Sequence, residues 1–214
     1  LLIKALSVAG FDVALASEFR SRDGNGDPER QRRLKEVGEG LAKRLIRRYR
    51  ALPQQRRPKL WFTYHLYHKA PDWLGPQVAR NLGIPYVAAE ASYAPKQLDG
   101  PWDIGVRGSL TALEQASAVF CLNPVDRHCL AEQFPDLAIH QLPPFLDLHF
   151  PNRQESRHSA SADRPGLAQK WKLDPASPWL VTVAMMRPGD KSRSYRLLAE
   201  ALHQVTHRNW QLLV

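Results

Sequence analysis

The stretch ASAVFCLNPVDRHCLAEQFPDLAIHQLPP, residues 116–144, decides the fold. AVFCL (118–122) is an apolar run of strand length. Asn123 carries a side-chain oxygen able to cap a helix, and Pro124 suits the first helical position, where no amide hydrogen is required. The helix begun there runs to about Phe134. Residues 137–142 form a second strand, stopped by Pro143-Pro144. A strand, a helix and a strand in this order predict parallel pairing through a right-handed crossover.

The alternation extends upstream. Residues 109–116 read as a helix, 84–88 (IPYVA) as a strand, and 74–82 as a helix with Gly83 just past its end. Residues 60–63 read as a strand. Over 29–52, apolar residues at 34, 37, 41, 45, 46, 49 and 52 mark one face of a long helix. DGNGDP (23–28) is a flexible, turn-rich loop, FDVALA (11–16) a short buried strand, and 1–9 the end of a helix stopped by Gly10. Leu1 opens inside an apolar pattern with no Met and no leader, so the expectation is that the N-terminus is cut.

Downstream, residues 151–177 turn polar and Pro-rich, with a low-complexity run over 156–163 and a short helix over 167–172. The pattern then restarts, with a strand over 179–185, a loop over 186–192, a helix over 195–205 and a further strand beginning at 211. The expected architecture is a Rossmann-like, doubly wound parallel sheet over 1–150 and a linker over 151–177. The beginning of a second Rossmann-like domain follows over 178–214.

Composition narrows the function. Of 214 residues, 43% are hydrophobic, enough for a core, and no apolar run is long enough to span a bilayer. Cys121 and Cys129 are too few for a disulfide framework and read as small core residues in a reducing compartment. The net charge of +9 is uneven, because residues 29–59 hold 12 of the 30 Lys/Arg but 3 of the 21 Asp/Glu. The remaining chain is balanced, so one segment carries the whole excess. On the 29–52 helix, Arg44, Arg47 and Arg48 lie off the apolar face. Such a face is either simply solvated or attracts anionic lipid. Nucleic acid is disfavoured, because only Tyr49 on that helix could stack on a base.

PPFLDLHFP (143–151) and WLVTVAMMRPGDKSRSYRLLAEAL (179–202) carry a resemblance to glycosyltransferase family 4, of GT-B fold. In that family a turn shaped like Pro-Asn-Gly-Val-Asp, followed by Phe and Pro, leads into the donor domain. Pro144, Phe145, Leu146 and Asp147 resemble the turn, and Phe150-Pro151 its tail. The donor domain opens with Gly-Arg-Leu, then Lys-Gly and a Leu-Leu-x-Ala-Leu helix, to which Arg187, Lys191 and residues 197–202 are similar. Met186 and Ser192 stand where the family has Gly, and the Arg-to-Lys spacing is one residue short.

The resemblance implies a retaining, metal-independent transferase. It would move a sugar from a nucleoside diphosphate sugar to a glycan or lipid-linked acceptor, with no cofactor beyond that donor. Arg187 and Lys191 would stabilise the departing diphosphate, Arg by forked donation and Lys as a point charge. It implies further parts outside these residues, a Gly-rich loop upstream and paired glutamates downstream, so the 214 residues alone are expected to be inactive. The expected setting is cytoplasmic, peripheral on the inner face of the membrane.

The acceptor side falls on two segments at expected strand ends, where open α/β sheets bind ligands. In Tyr64-His65-Leu66-Tyr67-His68-Lys69, the histidines are three apart with no adjacent carboxylate and no third ligand, which argues against a metal. His65 and His68 are expected to line a sugar cleft, to cap a helix or to sit half exposed. In IPYVAAEASYAP (84–95), Glu90 stands near where the family often has a His, so no catalytic His is assigned. Glu90 is expected to accept from a sugar hydroxyl, to cap a helix or to pair with a cation. Tyr93 and Lys96 are weaker cleft candidates, and Trp102 is expected to pack on the 99–102 turn in preference to a sugar. Two rival readings stand beside the transferase: a GT-B nucleotide-sugar epimerase or hydrolase, and a non-catalytic sugar- or membrane-binding protein.

Overall fold

A computed structural model of the protein describes residues 2–145, 164–186, 188–205 and 209–214. The chain forms two compact units, Leu1–Leu146 and Asp147–Val214.

In the first unit the elements are α1 (Leu2–Val8), α2 (Pro28–Arg50), β1 (Trp61–Leu66), α3 (Gly75–Leu82), β2 (Tyr86–Ala91), α4 (Asp103–Glu114), β3 (Ala118–Cys121), α5 (Pro124–Gln133) and β4 (Ile139–Gln141). The four strands are all parallel, in the order β1-β2-β3-β4. Helices separate them, so this is a Rossmann-like α/β sheet. Strand order follows chain order, with no reversal among the described strands.

One face of the sheet packs on α3, α4 and α5 through Leu66, Tyr86, Ala88, Val119, Leu113 and Leu130. Across α3 and α4 lies α2, which buries Ala42, Leu45 and Ile46 against Trp73, Leu74 and Val78. The capping logic read from sequence holds at Asn123 and Gly83, and the structure adds Asp27. Asn123 accepts the Asp126 amide at 2.8 Å. Asp27 accepts the Glu29 amide at 2.9 Å. Gly83 ends α3 in the left-handed conformation at φ 65°.

Several expectations are corrected. Residues 11–16 form no strand: Phe11 and Leu15 are 57% and 67% exposed, and no described strand pairs with them. An apolar run without a neighbour cannot satisfy its backbone as a strand. The loop over 23–28 is pinned rather than flexible, because the Asp23 carboxylate is buried and takes the Asn25 and Asp27 amides at 3.1 and 2.8 Å. Helix α4 starts six residues before the predicted 109. Gly105 and Gly108, residues that disfavour a helix, are here the places where it presses on the His68 carbonyl and the Trp73 ring. Cys121 is buried but Cys129 is exposed, since α5 buries only Leu130.

The second unit has α6 (Arg164–Trp171), β5 (Trp179–Val181), α7 (Asp190–His203) and β6 (Gln211–Leu213), with β5 and β6 parallel. β5 stops four residues short of the predicted 185, because its partner offers only three residues to pair with. Helix α7 begins at Asp190 rather than 195, an acidic residue in the first turn being favoured there. The predicted linker begins in residues 151–163, which are outside the described residues, and contains α6.

Candidate functional site

β1 and β2 each carry one residue in the left-handed region, His65 (φ 66°) and Glu90 (φ 54°). The register pairs Tyr64 with Ala89 and Leu66 with Ala91, so His65 and Glu90 sit at matching positions. The kinks reverse the alternation of side chains. Tyr86 and Ala88 point to the helix-covered core, and after Glu90 it is Ala91 that does. In β1, Trp61 and Thr63 share a side, and after His65 it is Leu66 that enters the core. Tyr64, His65 and Glu90 are therefore strand residues, not loop residues as expected, lifted out of the packing at the carboxyl edge of the sheet.

From there a ladder of rings continues along the edge. Tyr64 meets His65 edge-on at 6.0 Å, and His65 stacks on Tyr67 at 4.6 Å with 17° between planes. Tyr67 meets His68 at 5.5 Å and His68 meets Trp102 at 5.9 Å, both edge-on. The Lys69 ammonium lies 4.3 Å over the Trp102 ring. At the opposite end the Tyr64 phenol lies against Glu90. Hydrogen bonding to that carboxylate, burial and its charge, in that order, raise the phenol pKa. Burial and then the Lys69 charge lower the His68 pKa, which favours a neutral imidazole. His68 Nδ1 and Glu90 Oε2 are buried without a hydrogen-bond partner among the described residues.

A buried knot supports the far end of the ladder. The Gln31 amide donates to Asp23 at 3.0 Å and to the Pro101 carbonyl at 2.7 Å, and accepts the Gly105 amide at 3.1 Å. Asp23 accepts the Trp102 indole hydrogen on its carbonyl at 3.2 Å, and its own amide donates to the Lys69 carbonyl at 2.8 Å. Trp102 thus packs on the 23–28 turn rather than on its own 99–102 turn, with its ring against Gly26. Neither Asp23 nor Gln31 was singled out from sequence, although the Asp-Gly-Asn-Gly-Asp spacing is that of a side chain capping its own turn.

The knot has an acid limit. Burial would raise the Asp23 pKa, but the Asn25, Asp27, Gln31 and Gly26 donors outweigh it and hold the carboxyl below its ordinary 3.8. A depressed pKa stabilises the fold above the unfolded value and stops doing so as pH falls through the folded one. Asp23→Asn is expected to cost about 1–3 kcal/mol at pH 7 and to flatten the loss of Tm below pH 4. Parallel Tm–pH curves for both proteins would contradict this.

The remaining predicted residues are dispersed. Tyr93 packs edge-on against Phe134 at 5.8 Å, at the margin of the core. Lys96 is exposed in a single 3-10 turn, Pro95–Gln97. Arg44, Arg47 and Arg48 are exposed on α2. Lys191 is exposed in the first turn of α7 rather than in a loop. Arg187, and Leu146, Asp147, Phe150 and Pro151 of the turn motif, lie outside the described residues. A hollow of about 220 Å³ lined by Pro76, Arg80, Ile84, Tyr86 and Gln115 opens at the amino end of β2. Parallel sheets bind ligands at the other end, so the ring ladder is the stronger site.

No known family's profile matches the chain, and no curated protein matches it. The reading of the site therefore rests on its own chemistry. Ring faces, a half-buried carboxylate and an imidazole whose pKa is lowered by burial stand together along the ladder. No described helix is long and apolar enough to cross a membrane.

Proposed function

We propose that the chain belongs to a glycosyltransferase of GT-B type, retaining and metal-independent, with the first unit as the acceptor side of a doubly wound domain. The observation that carries this reading is the ladder from Tyr64 to Trp102 at the carboxyl edge of a parallel sheet, ending on Glu90. Apolar ring faces cover the C–H faces of a pyranose while the carboxylate accepts from its hydroxyls. The sequence resemblance over 143–202 supports the donor side.

On that side Lys191 brings a cation to the first turn of a 14-residue helix, with Gly189 at the N-cap position. The amide groups at a helix start and a nearby cation both favour a diphosphate, and Arg187 adds forked donation. No acid, base or nucleophile is required of the protein for this part. The two cations stabilise charge as the diphosphate departs.

Titration with UDP, GDP and ADP, each against its monophosphate, tests the donor side. At least one diphosphate is expected to bind more tightly than its monophosphate, with EDTA present. The double change Arg187→Ala, Lys191→Ala should remove the difference. Equal binding of di- and monophosphates, or no effect of the double change, would count against the assignment.

The acceptor reaches such a site from a membrane surface if it is lipid-linked, and α2 fits that route. Arg44, Arg47 and Arg48 are exposed while Ala42, Leu45 and Ile46 are buried, and none of the three arginines is in an ion pair with a described residue. Each cation near an anionic surface contributes about 1 kcal/mol. Reversing all three to Glu is expected to weaken binding to phosphatidylserine vesicles by about a hundredfold or more, and wild-type binding should fade with salt. Unchanged partitioning would remove the membrane from the account.

A further inference from the structure

His65 and Glu90 hold left-handed backbone angles at matching positions of adjacent strands. Glycine adopts these angles freely and an L side chain does so under strain. Meeting that strain twice at one place signals that the two side chains are needed there. His65 is exposed, with its ring stacked on Tyr67. Glu90 is half-buried, with the Tyr64 phenol against its carboxylate and Oε2 without a partner among the described residues. No ion pair between Glu90 and a described cation neutralises it.

A carboxylate of this kind only accepts hydrogen bonds. It attracts a hydroxyl or an ammonium and repels a second carboxylate brought onto the same ring faces. We propose that Glu90 is a specificity-determining residue, selecting a neutral or amino sugar at this edge and rejecting a sugar acid, while His65 supplies the stacking face. The proposal rests on the saccharide reading above.

Methyl glucoside, glucosamine and glucuronate, titrated by NMR into the full chain at low salt, give the test. Methyl glucoside and glucosamine should bind about tenfold more tightly than glucuronate, the size of a modest like-charge penalty. Glu90→Gln keeps shape and backbone and should bring glucuronate to within about twofold of methyl glucoside. Glu90→Gly relieves the backbone, so it should raise Tm while weakening methyl glucoside. A residue with only a structural part in the kink would not separate those two readouts. Glucuronate binding as well as methyl glucoside to the wild type, discrimination surviving Glu90→Gln, or a lower Tm in Glu90→Gly would overturn the proposal and leave the saccharide site standing. Binding of none of the three sugars would overturn the saccharide site itself.

Discussion

Gly105→Ala should destabilise the protein by about 2–3 kcal/mol, at the upper end for a single added methyl. A Cβ at this position would overlap the backbone carbonyl of His68, which cannot swing aside as a side-chain tip could. The same glycine donates its amide to Gln31 at 3.1 Å, so a shift of α4 would also strain the knot that holds Trp102. Stability and site should therefore fail together, with the Trp102 indole signal displaced. Gly40→Ala is the control. A Cβ there meets nothing within 4 Å, in the middle of α2, and the change should stabilise by about 0.5–1 kcal/mol through helix propensity. Equal Tm values for the two variants would contradict the close approach of α4 to His68.

Asp72→Ala is expected to cost about 3–4 kcal/mol, because one side chain serves four donors in a half-buried place. Oδ1 accepts the Leu74 and Gly75 amides at 2.9 and 2.8 Å, which starts α3. Oδ2 accepts the Thr63 hydroxyl at 2.5 Å and the Tyr86 phenol at 3.1 Å. Tyr86 is only 1% exposed, so its hydroxyl has no water to turn to once Asp72 is gone. Burial and then the Asp72 charge push the phenol pKa well up, and it remains a donor throughout the neutral range. Tyr86→Phe removes the donor together with its need and should cost about 1 kcal/mol. In the double variant the costs should fall short of their sum, because the phenol left stranded by Asp72→Ala is no longer present. Full additivity in a denaturant-unfolding cycle would sink this account of the network.

These two sites also show how far the sequence could be read. Asn123-Pro124 and Gly83 have local meanings, so α5 and the end of α3 were legible within a residue or two. Asp72 takes the Leu74 and Gly75 amides as a local cap, but its bonds to Thr63 of β1 and Tyr86 of β2 are tertiary, and no local spacing announces those. Gly105 and Gly108 misled because helix propensity counts their cost and is blind to the ring and carbonyl they admit. FDVALA has strand composition, but a strand exists only through a partner.

Among the candidate site residues, the ring cluster over 64–69 was legible because aromatic and histidine side chains lie together in the sequence itself. The matching kinks at His65 and Glu90 depend on the register of two strands lying about 25 residues apart, which periodicity cannot supply. The strands run three residues further than expected, to Leu66 and Ala91, so Tyr64, His65 and Glu90 are strand rather than loop residues. Tyr93, singled out for its aromatic character, makes its ring contact with Phe134 and stands apart from the ladder.

The proposed saccharide platform is tested most directly by resonance assignment at the ring ladder. With oligosaccharides titrated into the protein, the account predicts saturable shifts at the imidazoles of His65 and His68 and at the Trp102 indole, lost in a His65→Ala, Tyr67→Ala variant that keeps its fold. Shifts confined to other residues, or none at millimolar saccharide, would contradict it.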